Sequence, residues 1–350
     1  MNEKRRTGDV VTLSLILSQL SLCCSVVSVA VLVGCWFFRG RIEVPPKFCT
    51  GKDSTHAPTL NTFETMGAKN TKTTAKSLDT GSKTGVIILP NKKYKKFPTA
   101  LLKTPQQYHK VRSLDLSSNL LQHLNNIDIS HFKSLKTFNL SHNRLTSVSS
   151  TLSQLNALQN LNVSHNQLIA LPALPSKLQK LNVSHNKIVV VDCTVQLSKL
   201  KEFDMSYNLI VGIGASMYET CSLEKLERLN ISYNQLESLE SSIGRLVKLV
   251  HLDVTQNRLT DLPMELGKCK TLQTVLVANN ALRTVPTSLL TNGALSRLRL
   301  EKNEISKDDF LEIEGCDEFM ERRRGRIDRE IQGGLHETDR SVCGLDENKI

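Results

Sequence analysis

One asparagine returns along the chain at near-constant spacing, and that recurrence constrains the fold more than any bulk property does. The segment Leu158-Gln-Asn-Leu161-Asn-Val163-Ser-His-Asn166-Gln-Leu168 has the form LxxLxLxxNxL. Its asparagine recurs nine times, as Asn119, Asn143, Asn166, Asn186, Asn208, Asn234, Asn257, Asn280 and Asn303, at separations of 24, 23, 20, 22, 26, 23, 23 and 23 residues. A repeat of this length marks stacked supersecondary units that cannot bury their apolar faces alone and are stable only against their neighbours.

The chemistry of one unit is readable residue by residue. Leu161-Asn162-Val163 alternates as a strand does, so Leu161 and Val163 are expected to point inward and Asn162 outward. Leu158 and Leu168 fill the same interior from the flanking turns. Asn166 follows the strand where the chain must bend, and its amide is suited to satisfy backbone groups that would otherwise be buried without partners. Stacking places the strands about 4.8 Å apart in a parallel sheet, so nine of them span an arc of about 40 Å. The predicted fold class is therefore an α/β solenoid: a horseshoe of nine repeats plus end caps, with the parallel sheet on its concave face.

The ends need covering. Gly85 to Pro98 is expected to form a divergent first coil, with Val86, Ile88 and Phe97 in the repeat-like apolar positions. Asp308 to Met320 has helical spacing and is expected to cover the last repeat. From Arg322-Arg-Arg-Gly-Arg326 onward a mobile polar tail is expected. The domain plan is an extension at 1–65, a basic flexible lead at 66–84, the capped repeat domain at 85–324 and the tail at 325–350.

The outward strand positions form columns across the sheet. One runs from Asp115 through Asn139, Asn162 and Asn182 to Leu276 and Arg299, and another from Ser113 and Thr137 to Arg297. A third, read as outward on the same face, holds His142, His165, His185, Tyr207 and Tyr233. Tyr and Arg anchor protein interfaces, and Leu276 departs from an Asn/Asp column. These eight residues, His142, His165, His185, Tyr207, Tyr233, Leu276, Arg297 and Arg299, are the candidates for contact with a protein partner. Three stacked histidines invite a metal site, yet no carboxylate or thiol in adjacent columns completes a coordination shell. No nucleophile, base and orienting group come together, and the serine column from Ser117 to Ser232 belongs to the repeat consensus. The reading assigns no catalytic, metal or cofactor residues and no small-molecule substrate.

The net charge of +11 suggests nucleic acid until it is divided along the chain. Residues 67–110 hold ten lysines against Asp79 alone, whereas 111–350 carry 28 charges of each sign. The basicity is local, and a chain-wide footprint for nucleic acid is absent. Two membrane signals precede the repeats. Val10 to Phe38 runs for 29 residues without a charge and ends in Trp36-Phe37-Phe38, longer than the roughly 20 residues that cross a bilayer. Met66-Gly67-Ala68-Lys69-Asn70-Thr71 fits the myristoylation pattern if Met66 initiates, with Gly67 as the lipidated residue and Lys69, Lys72 and Lys76 as membrane-surface cations. Four sequons (Asn139, Asn162, Asn182 and Asn230) share one repeat position and follow from the consensus.

From Met66 to about Arg324 the chain resembles the leucine-rich repeat family. Besides the repeats, Met66-Gly67, Lys83-Thr-Gly-Val86, Phe97-Pro98 and Glu314-Gly-Cys-Asp-Glu-Phe-Met-Glu321 carry the resemblance to an intracellular branch of it. The resemblance implies lipidation at Gly67 and puts residues 1–65 outside the family's pattern. The cysteines agree with a cytosolic repeat domain, since the N-terminal cap has none and Cys193, Cys221 and Cys269 stand apart as small buried residues. The expected function is a non-catalytic, membrane-associated scaffold binding a protein on its concave face. The alternatives are a single-pass cell-surface receptor and a regulatory subunit of a phosphatase or ubiquitin ligase.

Overall fold

The computed structural model describes residues 77–350 apart from 99, 104–107, 126, 192–195, 215–216, 219–220, 335–340 and 348–350. The apolar run at 10–38, Gly67, Lys69, Lys72 and Lys76 lie outside the described residues. Among those described, no helix is long and apolar enough to cross a membrane.

Each repeat contributes one short strand. In chain order these are β1 (Val86–Ile88), β2 (Ser113–Asp115), β3 (Thr137–Asn139), β4 (Asn160–Asn162) and β5 (Lys180–Asn182). There follow β7 (Glu202–Asp204), β9 (Arg228–Asn230), β10 (His251–Asp253), β11 (Thr274–Leu276) and β12 (Arg297–Arg299). They form one parallel ten-stranded sheet in the order β1-β2-β3-β4-β5-β7-β9-β10-β11-β12. Two further short strands, β6 (Val190–Val191) and β8 (Gly212–Ile213), pair separately beside it.

The register never slips, because one residue per strand must reach the core. Leu161 lies opposite Phe138 on one side and Leu181 on the other, and Leu229 opposite Phe203 and Leu252. All six are buried, and a one-residue slip would turn every one of them to solvent. Val163, Leu158 and Leu168 complete the same interior as the pattern predicts. On the opposite side of the coils the chain winds through 3-10 turns at Ser241–Arg245 and Met264–Lys268, and then helix α2 (Thr287–Leu290), which follows the earlier one-turn helix α1 (Ala100–Lys103). Gly244 and Gly267 allow these turns to stack: a Cβ at Gly267 would lie 2.5 Å from the Ser288 carbonyl oxygen.

The asparagine ladder does what its chemistry suggests. Asn166 donates through Nδ2 to the carbonyls of Leu140 and Val163, both at 3.0 Å, and its Oδ1 accepts from the Leu145 amide at 2.9 Å. Asn234 and Asn257 repeat the arrangement in later coils.

Both caps differ from expectation. In the first coil Ile87 and Leu89 face the core, while Val86 and Ile88 are 42% and 54% exposed; Phe97 is buried as expected. The observed alternation is one residue out of phase with the expected one, because three consecutive β-branched residues carry no parity of their own. Pairing of Ile87 with Leu114 decides it. At the other end, α3 (Lys307–Leu311) is followed by α4 (Cys316–Gln332), which continues well past the expected boundary at Arg324. Arg323 and Ile327 of α4 are buried. The expected mobile tail also packs back: the Leu300 amide donates to the Cys343 carbonyl at 2.8 Å, and Cys343 and Leu345 are buried. An arginine-rich polar run concealed this, because two of its guanidiniums bond backbone carbonyls of the last coil: Arg322 Nε reaches Leu295 O at 3.1 Å and Arg326 Nε reaches Ser296 O at 3.0 Å.

Candidate functional site

The outward residues of β3 to β11 line an open groove of about 640 Å³ on the sheet face. Its floor near β3, β4 and β5 is neutral and rich in carboxamides, with Thr137, Asn139, Asn160, Asn162 and Asn182. Toward β12 it becomes charged. Lys180 Nζ and Glu202 Oε1 pair at 2.9 Å across adjacent strands. The same register row continues through Arg228, His251, Thr274 and Arg297. Among the described residues neither Arg228 nor Arg297 makes a side-chain ion pair, although Asp204 and Asp253 line the same groove and Glu202 is held by Lys180. Burial lowers the pKa of His251, and the charges of Arg228 and then Arg297 lower it further, which places both cations within electrostatic reach of the imidazole. Leu276 lines this end of the groove. Arg299 is committed elsewhere, with its guanidinium on Glu301 at 2.9 Å.

The strand-end residues also have an internal task. Asn139, Asn162, Asn182 and Asn230 each accept a hydrogen bond through Oδ1 from the amide two residues on, at 2.9–3.1 Å. Asp115, Asp204 and Asp253 do the same at 2.8–3.0 Å. Only an acceptor is needed, so Asn and Asp alternate, and the four sequons arise from this turn.

The His and Tyr candidates belong to a different structure from the strands. His142, His165, His185, Tyr207 and Tyr233 lie just beyond the strand ends, each in the left-handed backbone region with φ between 52° and 55°. Their rings form one continuous stack, with successive centroids 4.0–4.1 Å apart and planes within 12° of parallel. The expectation that they point out of the strands is corrected: the turn that follows each strand sets their direction. Stacking follows from the repeat itself, because one position in every coil is translated by one strand spacing. Among the described residues no group of three His, Cys, Asp or Glu could hold a metal ion.

Beside this stack lies a patch that the columns did not reveal. Leu209 lies with Tyr207 and Tyr233 along one shallow depression, and Ile169, Val189, Val190 and Val211 are 67%, 42%, 61% and 52% exposed. Ile169, Val189 and Val211 each stand three residues after a ladder asparagine, in coils whose spacings of 20, 22 and 26 are the irregular ones. The irregular spacing was the available signal.

Residues 109–168 match a leucine rich repeat family model, and residues 225–246 match a second one. No curated protein matches the chain. Among solved structures, the chain is similar to one from the Toll–Spatzle complex, a molecular hub in Drosophila development and innate immunity. The identity is 19%, the TM-score 0.56, and the match covers 63% of this chain and 30% of that one. The APL1 leucine-rich repeat domain is 27% identical at a TM-score of 0.50, over 59% of this chain and 52% of that one. A chain of the LRIM1/APL1C complex is 27% identical at 0.51, over 57% and 36% respectively. The match spans less than two thirds of the length of each of these three structures. With the ten-stranded sheet, these findings identify an α/β leucine-rich-repeat solenoid.

Proposed function

We propose that this leucine-rich-repeat chain is a non-catalytic, membrane-associated scaffold that holds a protein partner in its sheet-face groove. The observation that carries the reading is the groove's change of character: it runs from neutral carboxamides at Asn139, Asn160 and Asn162 to a charged end where Arg228 and His251 stand with Glu202, Asp204 and Asp253 beside Leu276, and Arg297 follows in the same row. Two cations without ion-pair partners next to an apolar residue suit a partner segment that carries a carboxylate beside an apolar side chain. The aromatic stack and the patch at Leu209 and Val211 extend the available surface beyond one edge of the sheet.

Membrane association rests on the apolar run at 10–38 and on Gly67 with Lys69, Lys72 and Lys76. A resemblance to leucine-rich-repeat-containing protein 57, carried by Met66-Gly67 and the C-terminal cap segment, belongs to the same reading and favours the lipid anchor and a cytosolic repeat domain. Cys221, Cys269, Cys316 and Cys343 are buried, in keeping with that compartment. A photo-reactive residue placed at Thr274 in the full chain tests the partner site against the same probe at Ser153. Capture of defined proteins at Thr274 alone, lost on R228E/R297E, is the expected result. Equal capture at both positions, or no effect of the charge reversal, would sink the reading. The receptor alternative predicts mobility sensitive to glycosidase, and the regulatory-subunit alternative predicts co-purifying enzymatic activity.

A further inference from the structure

The first coil is charged in a way no other part of the solenoid is. Between Asp79 and Asp115 the chain has seven lysines, Arg112 and no acid. Asp79 is taken by Lys83 at 2.9 Å. Four of the lysines, Lys92, Lys93, Lys95 and Lys96, sit in one loop tied to the neighbouring coil by hydrogen bonds.

The first ladder asparagine builds that loop. Asn119 Oδ1 accepts from the amides of Lys92 at 3.0 Å and Tyr94 at 3.1 Å, while its Nδ2 donates to Leu89 O at 2.9 Å. Tyr94 O in turn accepts from the Leu120 amide at 2.8 Å. Asn91 and Lys93 adopt left-handed backbone angles, φ 55° and 58°, which reverse the chain. Tyr94 and Phe97 are buried anchors, whereas Lys93, Lys95 and Lys96 are exposed. None of these four lysines makes an ion pair among the described residues. Three residues before the loop, Ile88 is 54% exposed on the edge strand, and Val86 is 42% exposed beside it.

We propose that this N-terminal cap is a docking face for an anionic bilayer leaflet. The charges are almost all lysine: strongly hydrated point charges suited to a diffuse field, where a shaped phosphate or carboxylate would call for arginine forks. The loop's two aromatic side chains are buried, so neither is available to stack on a nucleic-acid base. Exposed Ile88 and Val86, outward on the edge strand at the rim of the sheet face, add apolar contact of the kind an interfacial zone accepts. Docking by this end leaves the groove on β3 to β11 open to a protein. The inference rests on the membrane half of the function proposed above, and it assigns that contact to residues of the folded domain.

The test is co-sedimentation of the full chain with vesicles of phosphatidylserine and phosphatidylcholine against vesicles of phosphatidylcholine alone. The readout is the ratio of the two affinities, because the apolar run at 10–38 contributes alike to both and to every variant. Variants are K92E/K93E/K95E/K96E, the milder set with Gln at the same four positions, and K69E/K72E/K76E in the lead. Each lysine near the surface corresponds to about a fivefold change in affinity, so the Glu set should lower the ratio at least tenfold and the Gln set by a smaller factor. Raising the salt to about 0.5 M should abolish the preference. If the lead variant loses the preference and both cap sets keep it, the cap inference is overturned while membrane association stands. If the unmodified chain binds both vesicles without an anionic preference, the cap inference falls and membrane association stands; if it binds neither, both fall. Tighter, salt-sensitive binding of a single-stranded oligonucleotide than of the anionic vesicles would also overturn the proposal.

Discussion

A single carboxamide closes each coil of this solenoid. Asn166 ties two consecutive coils together, donating to Leu140 O and accepting from Leu145 N of the preceding coil while also donating to Val163 O of its own, with every one of these groups out of water. Asn166→Ala leaves buried backbone groups unpaired and should cost about 2–3 kcal/mol, read from the urea midpoint. Asn162→Asp should change stability by less than about 0.5 kcal/mol, because the turn requires only an acceptor and Asp204 and Asp253 already serve in that place. The two asparagines are four residues apart in sequence and opposite in consequence. Burial lowers the pKa of His165, and His185 and His142 lower it further. Below its ordinary value of about 6.5 the unfolded chain binds a proton that the folded chain resists. Stability is therefore full above that pH and falls as pH drops through the folded value. The melting temperature should decline between about pH 7.5 and pH 5.5, and His165→Gln should flatten the decline.

Among the elements, the two ends of the solenoid depart furthest from the repeat. The C-terminal cap is a layered cover: α4 lies on the last coil through Arg322 and Arg326, and residues 341–347 return over β12. Leu345→Asp should undock that return segment and speed hydrogen exchange at the Leu300 amide, while exchange at Leu140 and Val163 stays unchanged. Unchanged protection at Leu300 would mean that the segment contributes nothing to the cap. Helical spacing around Phe310 and Phe319 revealed the start of this cover, and the two rings do meet edge to face at 6.3 Å. The rest was hidden because arginine normally marks solvent. Here guanidiniums occupy the place of the missing next repeat, supplying donors to carbonyls that a further coil would have satisfied. Cys269 belongs to the same scale: burial pushes its thiol up to about 11, as befits a packed residue at the end of a 3-10 turn.

For the whole solenoid, contacts are made between neighbours, so stability accumulates coil by coil. The coils around Asn186 and Asn208 are the irregular ones, and they carry the exposed Val189, Val190 and Val211. A cavity placed there tests how far cooperativity extends. Phe203→Ala removes a buried ring between β5 and β9 and should cost about 3–5 kcal/mol. It should also separate unfolding into two stages, with β2 to β4 and β10 to β12 losing amide protection at different urea concentrations. Loss of protection in one step would show that the solenoid remains a single cooperative unit.

The sequence by itself determined the repeat, the inward set of each regular coil, the role of the ladder asparagines and the polar columns of the sheet face. Each of these is a local pattern copied nine times, so the copies correct one another. Only the tertiary structure decided the phase of Val86-Ile87-Ile88, the ring stack beyond the strands, the apolar patch at Leu209 and the packing of the tail. Those features occur once, or depend on which coil lies next to which. A neighbour's strand sets the direction of Ile87, and a neighbour's open edge makes Arg322 a cap. Information of that kind lies in the stacking of coils, so no single coil's residues carry it.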